Sequence, residues 1–167
     1  MEPDHLDWVG DQWRRERPDL NVEPLETLGR LLRTAQLAER ALADGLAPHE
    51  LQPGWFDLLA ALRRSGEPYE LNPTELAQAT MLTSGGMTKR LDRLAEAGLV
   101  ERRPDPDDRR GTRVRLTRQG RNAIDNAIGT HVANERRLLQ SLKPAERREL
   151  DALLRRLLTE LEARRLD

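Results

Sequence analysis

The stretch TSGGMTKRLDRLAEAGLV, residues 83–100, reads as one amphipathic helix with an unusual polar face. Thr83 is a good cap, and Met87, Leu91 and Leu94 recur at i, i+4 and i+7, a single stripe of the helical repeat. The opposite side carries Ser84, Gly85, Thr88 and Lys89: small residues, a hydroxyl and a cation. Gly85 and Gly86 each cost roughly 1 kcal/mol of helix propensity. Two of them in a first turn point to something that approaches the backbone closely. Unpaired N–H groups at a helix start, short hydroxyl side chains and a nearby lysine suit a groove lined by phosphates. Gly98 supplies a left-handed stop. The pattern is that of a helix that reads DNA.

Upstream, Asn72-Pro73-Thr74-Glu75 is a strong helix start: an asparagine cap, proline at the first position and glutamate three residues after the cap. That helix continues through Leu76 and Ala77 to about Thr80, and Met81-Leu82 makes the turn into the next one. Two short helices joined tightly, the second polar on one face, form a helix-turn-helix. Downstream, Thr112, Val114 and Leu116 alternate with Arg113 and Arg115, a strand with one wet, basic face. Pro104-Asp105-Pro106-Asp107-Asp108-Arg109-Arg110-Gly111 is a turn, and Leu99 to Arg103 supplies the other strand of a hairpin. Adjacent Arg109 and Arg110 at its tip suit a narrow minor groove. A hairpin placed directly after a helix-turn-helix is a wing. The candidate DNA contacts are therefore Ser84, Gly85, Thr88, Lys89, Arg93, Arg109, Arg110 and Arg113.

The whole chain is compatible with that role. Its 167 residues suit one domain with extensions, and 34% charged against 3% aromatic residues point to a helical, well-solvated protein. No apolar run reaches the roughly 18 to 20 residues that span a bilayer, and the acidic start Met1-Glu2-Pro3-Asp4 lacks a signal peptide's apolar centre. Zero cysteines remove disulfides, thiolate metal sites and thiol redox sensing. A cytoplasmic protein is expected. The formal net charge of −1 conceals a segregation: between residues 84 and 121 stand eleven cations and six acids, a local net of +5.

The remaining segments read as helices. Residues 1–21 form an extension, with a short helix over roughly 3–16 that breaks before Pro18 and carries Trp8 and Trp13. Exposed tryptophan is costly, so the extension is expected to dock. Residues 24–44, with Pro24 in the first turn, have a wide apolar face and are expected to end at Gly45. Pro53 to Arg64 clusters Trp55, Phe56, Leu58, Leu59 and Leu62 on one side and sets Asp57 nearly opposite, flanked by Ala60 and Ala61. Residues 118–142 form a long helix broken at Lys143-Pro144. Residues 145–165 carry a leucine stripe from Leu150 to Leu161 that resembles a short coiled coil. Two long terminal helices exceed what a small winged-helix core can cover, so they are expected to pack on a second chain. The expected architecture is mainly α with a small β-hairpin wing: a winged helix-turn-helix dimerised through its N- and C-terminal helices. Its parts are the extension at 1–21, dimerisation helices at 22–48 and 118–167, and the DNA-binding lobe at 49–117.

Catalysis has no support. His5, His49 and His131 are isolated, with no ligand-like spacing, nucleophile elbow or P-loop, so no enzyme, cofactor or metal site is expected. His131, on an apolar helix face, reads as a satisfied core or interface residue. A winged helix that binds protein instead of DNA would lack the cations Lys89, Arg109, Arg110 and Arg113.

In its order of elements the chain resembles the MarR family of bacterial transcription regulators over about residues 24–165. The most specific pieces are Asn72-Pro73-Thr74-Glu75-Leu76-Ala77, Arg90-Leu91-Asp92-Arg93-Leu94 leading to Gly98-Leu99-Val100, and Asp107-Asp108-Arg109 closing with Leu116-Thr117. The resemblance implies a homodimer on a pseudo-palindromic operator in double-stranded DNA, released or rearranged by a small, often aromatic, anion, and the expected role is that of a repressor. The N-terminal extension resembles the subgroup that responds to urate or related purines. Matching that subgroup's pattern implies a ligand site of Trp13, Asp57, Arg90 and Arg102, with Trp8 the alternative to Trp13 and Arg103 adjacent to Arg102. In chemical terms Trp13 offers a stacking face, and Arg90 and Arg102 offer donors to urate or an aromatic acid. Asp57 would pair with an arginine when the site is empty.

Overall fold

The computed structural model describes residues 2–80, 86–106, 108 and 111–164, and the chain divides into two units, Met1–Pro53 and Gly54–Asp167.

In the first unit, Asp4 starts helix α1 (His5–Glu16) by accepting the N–H groups of Leu6 and Asp7, while the Asp7 carboxylate takes the Asp4 N–H in return. Helix α2 (Glu23–Leu46) begins with Pro24 in its first turn. The extension does dock, on α2, and the device is Gly10. A Cβ there would lie 1.7 Å from Oε1 of Glu26, a buried carboxylate that Arg14 holds at 2.6 Å. Arg30 of α2 fastens the other end of α1, 2.7 Å from Asp4 and 2.5 Å from Asp7. Gly45 does not end α2. The helix runs on through Leu46 into a single 3-10 turn, Ala47–His49, and Glu50 takes the left-handed conformation at φ 57°. The chain can therefore reverse without glycine at the stop.

In the second unit, helix α3 (Pro53–Arg64) buries Phe56, Leu58, Leu59, Ala61 and Leu62. Strand β1 (Glu70–Leu71) leads to helix α4 (Pro73–Ala79), where Asn72 and Glu75 form the expected reciprocal cap at 2.9 and 2.7 Å. Helix α5 (Met87–Glu96) buries Met87, Leu91 and Leu94, the stripe predicted from spacing. Its cap is Gly86 at φ 91°, three residues later than expected, so Gly86 supplies a left-handed entry and lies outside the first turn. Thr83, Ser84 and Gly85 lie outside the described residues. At the other end Gly98, at φ 69°, closes α5. The Leu99 N–H bonds the Leu94 carbonyl and the Gly98 N–H the Ala95 carbonyl, each at 2.9 Å.

Strands β2 (Val100–Pro104) and β3 (Thr112–Leu116) form the hairpin, paired from Val100 opposite Leu116 to Pro104 opposite Thr112. The short β1 joins them, making a three-stranded antiparallel sheet in the order β1-β3-β2. Val114 and Leu116 face the core as the alternation requires. Helix α6 (Arg118–Leu138) is stitched to the end of α5 by Thr117. Its hydroxyl donates to the Gly98 carbonyl at 2.6 Å and accepts the Gly120 N–H at 3.0 Å, while its own N–H bonds the Leu99 carbonyl at 3.1 Å. A Cβ on Gly120 would lie 1.9 Å from that Leu99 oxygen, so glycine is required for the close approach. Helix α6 stops at Leu138, not at residue 142. The following turn, Gln140 N–H to Arg137 and Leu142 N–H to Leu139, delivers an extended Lys143 to Pro144, which disfavours a helical predecessor. Helix α7 (Pro144–Ala163) buries no residue of its own, and Leu153, Leu158 and Leu161 are about half exposed.

Candidate nucleic-acid interface and an adjoining polar cluster

With Met87, Leu91 and Leu94 turned into the core, the geometry of α5 forces Thr88, Lys89 and Arg93 outward, and all three are exposed. Lys89 and Arg93 stand one turn apart, and neither has an acidic partner among the described residues. Two uncompensated cations and a hydroxyl on an exposed helix face can meet phosphates and base edges. Of the other predicted contacts, Ser84, Gly85, Arg109 and Arg110 lie outside the described residues. Arg113 is placed differently from its neighbours. Its Nε lies 3.0 Å from Oδ2 of Asp105 and its Nη1 3.7 Å from Oε2 of Glu75, and only 23% of its side chain is exposed. It ties the root of the wing to the cap of α4, so its face of β3 is less wet than expected.

The four predicted ligand residues belong to different elements. Trp13 is on α1 in the first unit, 44% exposed. Arg102, on β2, is held 2.8 Å from Asp92 of α5. Asp57 and Arg90 come together in the second unit. Gly54, in the first turn of α3, leaves room for Arg90: a Cβ there would stand 3.0 Å from its Nε. The Arg90 Nη1 is buried and has no hydrogen-bond partner among the described residues. Asp57 is half-buried. Burial pushes its carboxyl above the usual range, and nearby His131, Arg64 and Arg90 oppose that rise. No hydrogen bond joins the Asp57 carboxylate to any of them.

Three members of this cluster were not predicted. Gly54 reads in sequence as an ordinary first-turn residue. Arg64, at the end of α3, donates to the Ala79 carbonyl that ends α4. His131 Nδ1 is buried without a hydrogen-bond partner among the described residues, so the expectation of a satisfied core residue does not hold within this chain. Its ring lies 4.3 Å from that of Phe56, and its Nε2 faces Glu135 at 3.4 Å. The one sequence signal was its place on the apolar face of α6. Among the described residues no three His, Cys, Asp or Glu side chains group to hold a metal ion, and no helix is long and apolar enough to cross a membrane.

Comparison with known proteins bears on this arrangement. A family model described as the MarR family matches residues 49–111. The chain is 41% identical over 148 residues to the HTH-type transcriptional regulator PecS of Dickeya dadantii, covering 89% of each. It is 32% identical over 135 residues to the multiple antibiotic resistance protein MarR of Escherichia coli, covering 78% of this chain and 90% of that protein. The crystal structure of a mutant Escherichia coli MarR complexed with operator DNA superposes with a TM-score of 0.73 at 29% identity, covering 82% of this chain and 97% of that one.

Proposed function

Because the chain belongs to the MarR family of transcription regulators, we propose that it binds a pseudo-palindromic operator in double-stranded DNA as a homodimer, represses from it in the cytoplasm, and leaves it when a small planar anion binds. The observation that carries the DNA reading is the exposed face of α5, where Thr88, Lys89 and Arg93 stand in solvent above a buried apolar stripe. The operator complex of a similar protein supports it. In this reading α5 enters the major groove, and the wing with Arg109 and Arg110 reaches the adjoining minor groove. Residues 49–117 are the DNA-binding lobe, 22–48 and 118–167 the dimerisation helices, and 1–21 the extension. The exposed leucines of α7 support the dimer, because soluble monomers seldom keep such a stripe uncovered.

The ligand is a flat anion such as urate or an aromatic acid, and its site is the Asp57–Arg90 cluster. The buried Nη1 of Arg90 is a charged donor without an acceptor among the described residues, and an anion satisfies it. Arg90 belongs to α5, so an anion that draws on it acts on the helix that reads DNA. The Asp57 carboxyl, its pKa raised by burial, opposes an incoming negative charge and competes with it for the cations around it. The ligand thus binds unequally to the two states of α5, as any such switch requires. Trp13 and Arg102 enter from the family pattern, and for Arg102 the bond to Asp92 must first open.

Fluorescence anisotropy on DNA from upstream of the protein's own gene, with urate, xanthine and salicylate added to the complex, tests both halves. Specific binding that Lys89→Ala weakens is the expected result, with release by at least one anion. Equal binding of wild type and a Lys89/Arg93 double alanine variant would overturn the DNA-facing assignment.

A further inference from the structure

Where β3 gives way to α6 lies a cleft of about 360 Å³ whose lining shares no residue with the exposed face of α5 or with the Asp57–Arg90 cluster. Three guanidiniums line it, those of Arg115 on β3 and of Arg118 and Arg121 at the start of α6, against one carboxylate, Glu67. Tyr69 completes that wall. Its backbone is left-handed at φ 61°, a conformation that bulky residues seldom keep and that gathers at ligand sites. Its ring carries the Arg63 and Arg121 guanidiniums, each 4.9 Å from the ring centre. The strand register puts the cleft at the opposite end of β3 from the wing tip: Glu70 pairs with Arg115, whereas the hairpin ends at Pro104 opposite Thr112.

The cations of this cleft are poorly compensated. Arg115 and Arg118 have no acidic partner among the described residues. Glu70 and Glu101 stand beside Arg115 in register, but neither forms an ion pair with it, and Glu101 is taken by Arg103 at 2.7 Å. Asp125 lies 2.7 Å from Arg63 and 3.8 Å from Arg121, so one carboxylate serves two guanidiniums. Glu67 accepts from the Tyr69 hydroxyl at 3.3 Å.

We propose that this cleft binds a small anion carrying two or more linked phosphates. A guanidinium fork meets a phosphate through two parallel hydrogen bonds. Three forks offer more donors than one carboxylate can accept, and a chain of two phosphates has oxygens for all of them. The volume falls within the range of about 300–1,000 Å³ usual for small-molecule sites, so an ester group beyond the phosphates fits as well. Thr117 also lines the cleft, and its hydroxyl joins the end of α5 to the start of α6. An occupant therefore bears on the joint from which α5 extends.

Isothermal titration of the whole chain at low ionic strength, with inorganic pyrophosphate, orthophosphate, ADP and citrate, tests this. Pyrophosphate is expected to bind about tenfold tighter than orthophosphate or citrate, the scale of one added charge-assisted hydrogen bond. ADP tighter than pyrophosphate would assign the cleft to a nucleotide, and equal binding to a free phosphate chain; either sustains the proposal. Arg115→Gln with Arg118→Gln removes two guanidiniums that hold no ion pair, so the helical signal is expected to persist while pyrophosphate affinity falls about tenfold. Operator binding without added anion is expected to stay within about twofold of wild type. The inference is overturned if wild type binds neither pyrophosphate nor ADP, if citrate binds as tightly as pyrophosphate, or if the double variant keeps its pyrophosphate affinity. The first two outcomes need no variant. A loss of operator affinity in the double variant as large as that of Lys89→Ala would give these arginines to DNA and would equally overturn it.

Discussion

Arg113 separates two accounts of the wing, and replacing it by glutamine distinguishes them. Read from sequence, Arg113 is a phosphate contact. In the structure its guanidinium is spent on Asp105 and Glu75, whose side chains are 8% and 42% exposed. Breaking a fully buried ion pair by removing one partner costs about 3–5 kcal/mol, and breaking an exposed one about 0–1. The Asp105 end is nearly buried and the Arg113 end partly open, so Arg113→Gln is expected to cost about 2 kcal/mol. Denaturation at fixed protein concentration measures that. Affinity for operator should fall because the wing root loosens, but the dependence of log K on log salt should keep its slope, since no phosphate contact is lost. Lys89→Ala should do the reverse, leaving stability within about 0.5 kcal/mol and flattening the slope by about one unit. The reasoning is refuted if Arg113→Gln leaves stability unchanged and flattens the slope as Lys89→Ala does.

Gly10→Ala should undock α1, because the added carbon meets Glu26 Oε1 at 1.7 Å; a loss of about 1–3 kcal/mol should outweigh the gain in helix propensity, and faster proteolysis within residues 1–21 would report it. The Arg30 guanidinium holds the Asp4 carboxyl at about 2, below the usual 3.8. A depressed carboxyl adds stability above its unfolded pKa and loses it as pH falls through the folded one. Indole emission from Trp8 and Trp13, in a Trp55→Phe background, should therefore change as pH falls from 3.8 towards 2, and Asp4→Asn should remove that transition. Sedimentation at micromolar concentration should show a dimer, and Leu154→Glu with Leu158→Glu on α7 should shift it to monomer while the helical signal persists.

What the sequence declared and what it withheld divide along range. Short-range physics was legible. The Asn72–Glu75 cap, the burial of Met87, Leu91 and Leu94, and the stop at Gly98 each depend on residues within one or two turns, and each stands where spacing put it. The half-burial of Asp57 was not legible because a helical wheel knows only its own helix. The electrostatic influence of His131 and Arg90 on it comes from α6 and α5, far along the chain. The surroundings of His131 were hidden for the same reason: burial on an apolar face was foreseeable, but its contact with the Phe56 ring comes from α3. Arg113 shows a subtler case, in which the strand alternation was right and the freedom of the side chain was not, because Asp105 lies across the hairpin turn.

The stitching at Thr117 makes α5 a lever with one fixed end. Its C-terminal end is bolted to the start of α6 through Gly98, Leu99 and Gly120, while its other end, entered at the left-handed Gly86, is held by the packing of Met87. Ten residues make an arm of about 15 Å. A tilt of only about 5° about the bolted end sweeps the far end through about 1.3 Å, enough to break a hydrogen bond. Arg93 lies near the fulcrum and Thr88 and Lys89 near the moving tip. A modest rotation of α6 would therefore leave the contact by Arg93 almost in place while it withdraws Thr88 and Lys89, so loss of sequence discrimination would precede loss of grip.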